Sequence, residues 1–145
     1  MGDVVELACG RLRAAGIRIT QQRRQLLRVF AGMDRWCTPQ ELYQAAEAAG
    51  QHPGLATVYR LVETLCSLGL CKSFPQSDRT VRYVFCPPFH HHHLICLDCG
   101  RVRNITDCHV EQPASDFTVR EHSVDFFGQC PRCAEHLRGA PSPPS

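Results

Sequence analysis

No apolar run in this chain approaches the length of a membrane span, and the opening residues MGDVVELACGRLRAAG carry acids where a secretory leader carries a long apolar core. The expected setting is the reducing cytoplasm, where ten cysteines serve metal rather than disulfides. No internal repeat occurs, so a solenoid or propeller is not indicated. Nor is there an HExxH helix or a comparable pairing of metal ligand and general base, and a zinc hydrolase lacks its sequence basis. The chain is not expected to be an enzyme. Acid is missing from one stretch as well: Arg11, Arg13, Arg18, Arg23, Arg24 and Arg28 occur with no carboxylate between Glu6 and Asp34. A solvated helix face interleaves both signs, so this run points to a polyanion, with phosphates the obvious candidates.

What the chain has in quantity is soft metal ligands. Cys96 and Cys99 form one CxxC pair, and Cys130 and Cys133 form a second. Each pair lets two sulfurs from one tight turn reach the same ion while the turn amides offset thiolate charge. Four thiolates then make a closed tetrahedral zinc site. A closed site has no position for substrate, so this zinc is expected to be architectural. At 145 residues the chain suits one compact domain or two small ones, and small domains are short of apolar burial. A metal staple in the second half meets that shortage. Cys9, Cys37, Cys66 and Cys71 sit within or beside apolar helical patterns and read as small buried hydrophobes. Cys108 has no reading of its own.

The charge is uneven: residues 1–85 hold eleven Lys and Arg against seven Asp and Glu, while residues 86–145 hold five against seven. The basic part reads as helical. An apolar stripe through Val4 or Val5, Leu7 or Ala8, and Leu12 predicts a helix over 3–15, stopped by Gly16. Thr20 caps a second helix with Leu26, Leu27, Phe30 and Met33 on one face. Thr38, Pro39 and Glu41 make a capping box for a third, which ends at Gly50. A fourth runs from near Leu55 to Gly69, with Val58, Leu61, Val62, Leu65 and Leu68 inward. Thr57, Tyr59 and Arg60 point outward in its first turns, where a recognition helix meets the major groove.

After Gly69 the period changes. LCKSF (70–74) and VRYVF (81–85), separated by the polar turn PQSDRT, predict a hairpin. Helices followed by a hairpin describe a winged helix-turn-helix, with Lys72, Arg79 or Arg82 of the wing able to reach the sugar-phosphate backbone. Pro87 and Pro88 make a stiff link. Beyond it LICLD, RVRNI and SVDFFG predict the strands of a small sheet held by the zinc, and residues 139–145 a disordered tail. The fold class is α+β, with a winged-helix DNA-binding domain over 1–85, a hinge over 86–88 and a small α/β metal-binding domain over 89–138.

Between the two domains stands the run His90, His91, His92, His93. Strand alternation sends His90 and His92 to one side and His91 and His93 to the other, so four imidazoles serve two sites. On one side Cys86 can join His91 and His93 across the Pro-Pro link. On the other, Glu111 and His122 can join His90 and His92. A solvated, metal-free strand is the plainer alternative.

Three segments in order, GIRITQQR (16–23), GLATVYR (54–60) and HHHHLICLDCG (90–100), resemble the ferric uptake regulator (Fur) family of metal-dependent bacterial repressors, and the likeness runs to about His136. The resemblance implies a C-terminal dimerisation domain and a cytoplasmic homodimer that binds a palindromic double-stranded operator when loaded with metal. It places the structural zinc on Cys96, Cys99, Cys130 and Cys133. The hinge sensor site falls on His91 and His93, and a second regulatory site on His90, His92, Glu111 and His122. Tyr59 and Arg60 match the operator-contacting pair, and Arg18 the basic position near the minor groove.

Iron-sensing members resemble one another in a histidine and a carboxylate at positions held here by Trp36 and Val84, neither of which binds metal. Zinc-sensing members place a cysteine where this chain has Cys86. A thiolate with two imidazoles suits borderline-soft Zn²⁺ better than a hard ion. The resemblance is therefore closest to the zinc uptake regulator (Zur) branch, controlling metal uptake genes, with one structural and one or two regulatory Zn(II) per protomer. An iron- or manganese-responsive regulator, with Fe(II) or Mn(II) at the regulatory sites, is the alternative. The position of the usual fourth hinge ligand is Lys72, which leaves Asp78, Cys71 or water. The segment HVEQPASDF is shorter than the family's helix there and carries Pro113. A thiol-rich buffering or redox protein is the rival of another class; it leaves the arginines and the GLATVYR helix without a purpose.

Overall fold

Thr20 and Thr38 start two helices with their own side chains. The Thr20 hydroxyl accepts from the Arg23 amide at 3.2 Å and the Thr38 hydroxyl from the Glu41 amide at 3.1 Å, while the Glu41 carboxylate accepts from the Thr38 amide at 3.1 Å. The capping box is thus complete, with Pro39 at the first helical position. The computed structural model describes residues 2–138. Its helices α1 (Gly2–Ala14), α2 (Gln21–Ala31), α3 (Pro39–Ala48) and α4 (Leu55–Ser67) precede strands β1 (Cys71–Pro75) and β2 (Val81–Phe85). Then come β3 (His92–Cys96), β4 (Val102–Ile105), β5 (Asp125–Gly128) and α5 (Pro131–Arg138). The expected tail over 139–145 lies outside the described residues. The chain divides into two compact units after Phe89.

In the first unit the apolar stripes converge. Leu12, Leu26, Leu27, Leu42, Val58 and Leu65 are fully buried, and Phe30 meets Phe85 edge to face with ring centroids 5.8 Å apart. Gly16 and Gly69, at φ of 80° and 74°, supply the left-handed turns beyond α1 and α4. β1 and β2 form the antiparallel wing, and an isolated bridge between Cys37 and Tyr83 adds a short third rung. Arg82 ties the wing to α3, donating to the Glu41 carboxylate at 2.9 Å while its guanidinium lies 6.0 Å from the Trp36 ring centre. Burial pushes the Cys37 thiol up to about 12, in keeping with an inert, space-filling role.

Glu41 serves cap and wing together, so Thr38→Ala is expected to destabilise the first unit by about 1 kcal/mol. A lowered urea midpoint at unchanged slope checks this.

The second unit is built on β3, with β4 antiparallel on one edge and β5 parallel on the other. β3 begins at His92 rather than Leu94, because the His92 and His93 backbones already pair with Ile105, Asn104 and Asp125. Nineteen residues, 106–124, lead from β4 across to β5 on the far side of β3 and contain no helix or strand. Helix α5 was not anticipated from the pattern; Pro131 at its start was the available signal.

Candidate metal centres and nucleic-acid face

The two CxxC pairs come together. The sulfurs of Cys96, Cys99, Cys130 and Cys133 all lie within 4.8 Å of one another, and Cys99 and Cys130 stand 3.7 Å apart. A tetrahedron of Zn–S bonds about 2.3 Å long has edges of about 3.8 Å, so the donor set fits zinc as it stands. Backbone amides of Cys130, Cys99 and Asp98 donate toward the Cys96 sulfur and hold its thiol down to about 6. The Cys133 thiol is pushed up to about 12 by Cys130, to which it donates, and by burial. The amide donors thus favour the thiolate form at Cys96, the form that binds metal.

Leading into β3, which begins at His92, the histidines sort by alternate positions. His91 and His93 face one way, with Nε2 atoms 3.2 Å apart, close to the edge of about 3.3 Å expected between two imidazoles on tetrahedral zinc. His93 is buried, and its Nδ1 donates to the Asp125 carboxylate at 2.9 Å. That bond fixes the tautomer with Nε2 presented outward, the arrangement in which a carboxylate backs a metal-binding histidine. Asp125 escaped the sequence reading; its place at the start of a strand parallel to β3 is a tertiary fact. Cys86, the expected third ligand, belongs to the first unit, where it is buried at the end of the wing and its thiol donates to the Val84 carbonyl at 3.8 Å. Among the suggested fourth ligands, the Asp78 carboxylate is held at the hairpin tip by both the amide and the hydroxyl of Thr80. Cys71 is buried beside Cys66, and both effects push its thiol up.

His90, His92 and His122 gather on the other side of β3, with ring centroids 4.6 to 5.2 Å apart. Here the expectation for Glu111 needs correction. The ligand group that the structure assembles is His90, His92, Cys108 and His122, all donor atoms within 4.8 Å, and Glu111 stands outside it as an exposed residue of the irregular segment. With no helix over 109–117, nothing turns Glu111 back toward the imidazoles. Cys108, which follows β4 by three residues, is already in place.

The outward face of α4 is as expected: Tyr59 and Arg60 are exposed and Thr57 is half-buried. Arg60 donates to the Thr57 hydroxyl at 3.4 Å, and both border a groove with Thr20, Arg23 and Thr64. Gly54 leaves the first turn of α4 without a side-chain cap. Arg18 is exposed, and its carbonyl accepts from Arg23. The arginine run is not wholly uncompensated, however. Arg24 pairs with Glu6, and Arg11 donates to the Leu68 carbonyl at the end of α4 at 3.0 Å. These two brace the fold.

The profile of the Ferric uptake regulator family matches residues 14–126, most of the chain. The protein belongs to the ferric uptake regulator family. The match ends before Cys130 and Cys133, so the second half of the cysteine cluster rests on this chain's own geometry. The peroxide-responsive repressor PerR of Staphylococcus epidermidis is 32% identical over 140 residues, covering 90% of this chain and 91% of that protein. The Vibrio cholerae ferric uptake regulator superposes with a TM-score of 0.57 at 26% identity, over 82% of this chain and 96% of that one. A zinc-bound manganese uptake regulator gives 0.55 at 26%, over 88% and 98%. The Fur-like α+β fold and the assignment as a metal-responsive transcriptional regulator, not an enzyme, follow. Fur-family regulators are DNA-binding dimers. Among the described residues no helix is long and apolar enough to cross a membrane.

Proposed function

We propose that this chain is a Zn(II)-responsive, cytoplasmic repressor that binds a palindromic operator as a homodimer. The observation that carries the reading is the donor chemistry beside the hinge: His91 and His93 converge with Asp125 behind them, and Cys86 precedes His91 by five residues. A thiolate and two imidazoles favour zinc over iron or manganese. Trp36 and Val84 add no donor; both are buried, and Trp36 packs on Phe74.

Cys86, His91 and His93 would hold the ion across the Pro87–Pro88 link, and coordination bonds to ligands on both sides would favour one geometry of that link. Only a difference in affinity between link geometries shifts their populations, and about 5.5 kcal/mol carries a population from 1:99 to 99:1. Leu94 and Phe126, neighbours across β3 and β5, are 41% and 48% exposed, an apolar patch suited to a second copy of the sheet. Cys96, Cys99, Cys130 and Cys133 would hold the structural zinc.

The test is operator retention titrated with Zn(II), Mn(II) and Fe(II) under anaerobic metal buffering. Zinc is expected to act at the lowest free concentration; equal retention by the metal-free dimer would end the proposal. A peroxide-responsive reading is favoured by the name of the 32%-identical relatives. Release of the Fe(II)-loaded complex by hydrogen peroxide at stoichiometric dose, with the redox-inert zinc-loaded complex retained, would select it.

On the DNA face, Arg60→Ala is expected to weaken operator binding by about 1–3 kcal/mol. Comparing operator with scrambled duplex separates the roles: unequal losses mark a base contact and equal losses a phosphate contact.

A further inference from the structure

We infer that beside His90, His92 and His122, the imidazoles of the expected second regulatory site, this chain's own Cys108 supplies a thiolate as fourth ligand to a zinc-class divalent ion, and that the ion clips the segment 106–124 onto β3. The inference stands apart from the repressor reading, since every group lies in the second unit and the tests need no DNA. It also departs from the carboxylate that the family resemblance implies.

Three observations carry it. The donor atoms already converge: Cys108 Sγ lies 3.3 Å from His92 Nε2 and 3.1 Å from His122 Nε2. Tetrahedral zinc sets mixed sulfur–nitrogen edges of about 3.5 Å, so loading asks for an opening of a few tenths of an ångström. Second, the segment is long for a compact domain. Nineteen residues without regular structure exceed the usual connection of about 4–6, and segments beyond about 12–15 generally carry a function. Third, Cys108 and His122 sit near the two ends of that segment, while His92 projects from the central strand under it. An ion on these groups closes a loop between residues 108 and 122 and relieves the entropy that a free segment would keep.

Loading also rearranges protons. In the ion-free arrangement the Val124 amide donates to His92 Nδ1 at 3.1 Å, so the neutral ring carries its proton on Nε2, facing Cys108. An ion at Nε2 would take that proton's place: the ring proton would be carried on Nδ1, the Cys108 thiol proton would leave to solvent, and the Val124 amide would give up its acceptor. Filling the site therefore changes the backbone bonding immediately before β5. The thiolate sets the choice of ion: sulfur favours Zn²⁺ and Co²⁺ over Mn²⁺.

The test uses full-length protein carrying Cys86→Ser, which silences the thiolate expected at the hinge site, with one zinc per chain retained. Titration with Co(II) is expected to raise a sulfur-to-cobalt charge-transfer band at one equivalent. That band should vanish on adding Cys108→Ser and survive Glu111→Gln. A band that survives Cys108→Ser, or that is lost with Glu111→Gln, overturns the assignment. The clip has its own readout without substitution at Cys108. Tryptic cleavage after the exposed Arg120 should slow about a hundredfold when free zinc stands at about a hundred times its dissociation constant, and alkylation of the exposed Cys108 should slow in parallel. Zinc-independent cleavage at Arg120 overturns the clip.

Discussion

Cys96→Ser is expected to remove one zinc per chain and to unfold residues 90–138 while the helical unit stays folded. The reason is one of scale. A structural zinc contributes about 10–16 kcal/mol in small zinc domains, comparable to the whole stability of an ordinary domain at about 5–15 kcal/mol. The second unit has little to set against such a loss: among its described apolar side chains only Ile95 and Cys96 are buried, while Leu94, Leu97, Phe117, Phe126 and Phe127 are exposed. Serine keeps the size but loses the sulfur that collects the amides of Cys99 and Cys130. Metal analysis with limited proteolysis reads both effects. A Cys96→Ser protein that keeps an intact, protease-resistant second unit would show that the four sulfurs are not its staple.

Cys86→Ser has the second-largest expected consequence and leaves the architecture alone. Cys86 is buried in the wing, and its backbone amide bonds the Leu70 carbonyl at 2.9 Å, a contact that serine retains. Zinc-dependent operator affinity should fall by roughly 5- to 150-fold, the usual range for coupling between two sites. Elution volume, thermal transition and structural zinc content should match the parent. Undiminished zinc-dependent retention would take Cys86 out of the sensor and leave the imidazole pair to work with other groups.

The two substitutions probe what the sequence reveals unequally. Local signals were legible: Thr20, Thr38 with Glu41, and the apolar stripe of α4 each act within a few residues, and the CxxC turns carry their own geometry. The histidine alternation needed only the strand period. Pairings at a distance were not legible. Arg24 with Glu6 and Arg11 with Leu68 turned part of a basic run into structural bracing, because the packing of α1 against α2 and α4 decides which guanidiniums stay free. Asp125 reaches His93 only through a parallel strand 32 residues away. Cys108 lies 16 residues from His92 and 14 from His122, across a segment whose path no periodicity describes. The carboxylate at Glu111 was the reading that resemblance offered, whereas the structure gathers Cys108 with the three imidazoles.

Glu41 links two parts of the first unit that are otherwise read separately. One carboxylate closes the first turn of α3 and anchors Arg82 of the wing, so the tilt of the hairpin and the onset of the helix melt as one cooperative block. The hairpin is consequently braced on α3 through a single side chain, and removing that carboxylate is expected to loosen both at once.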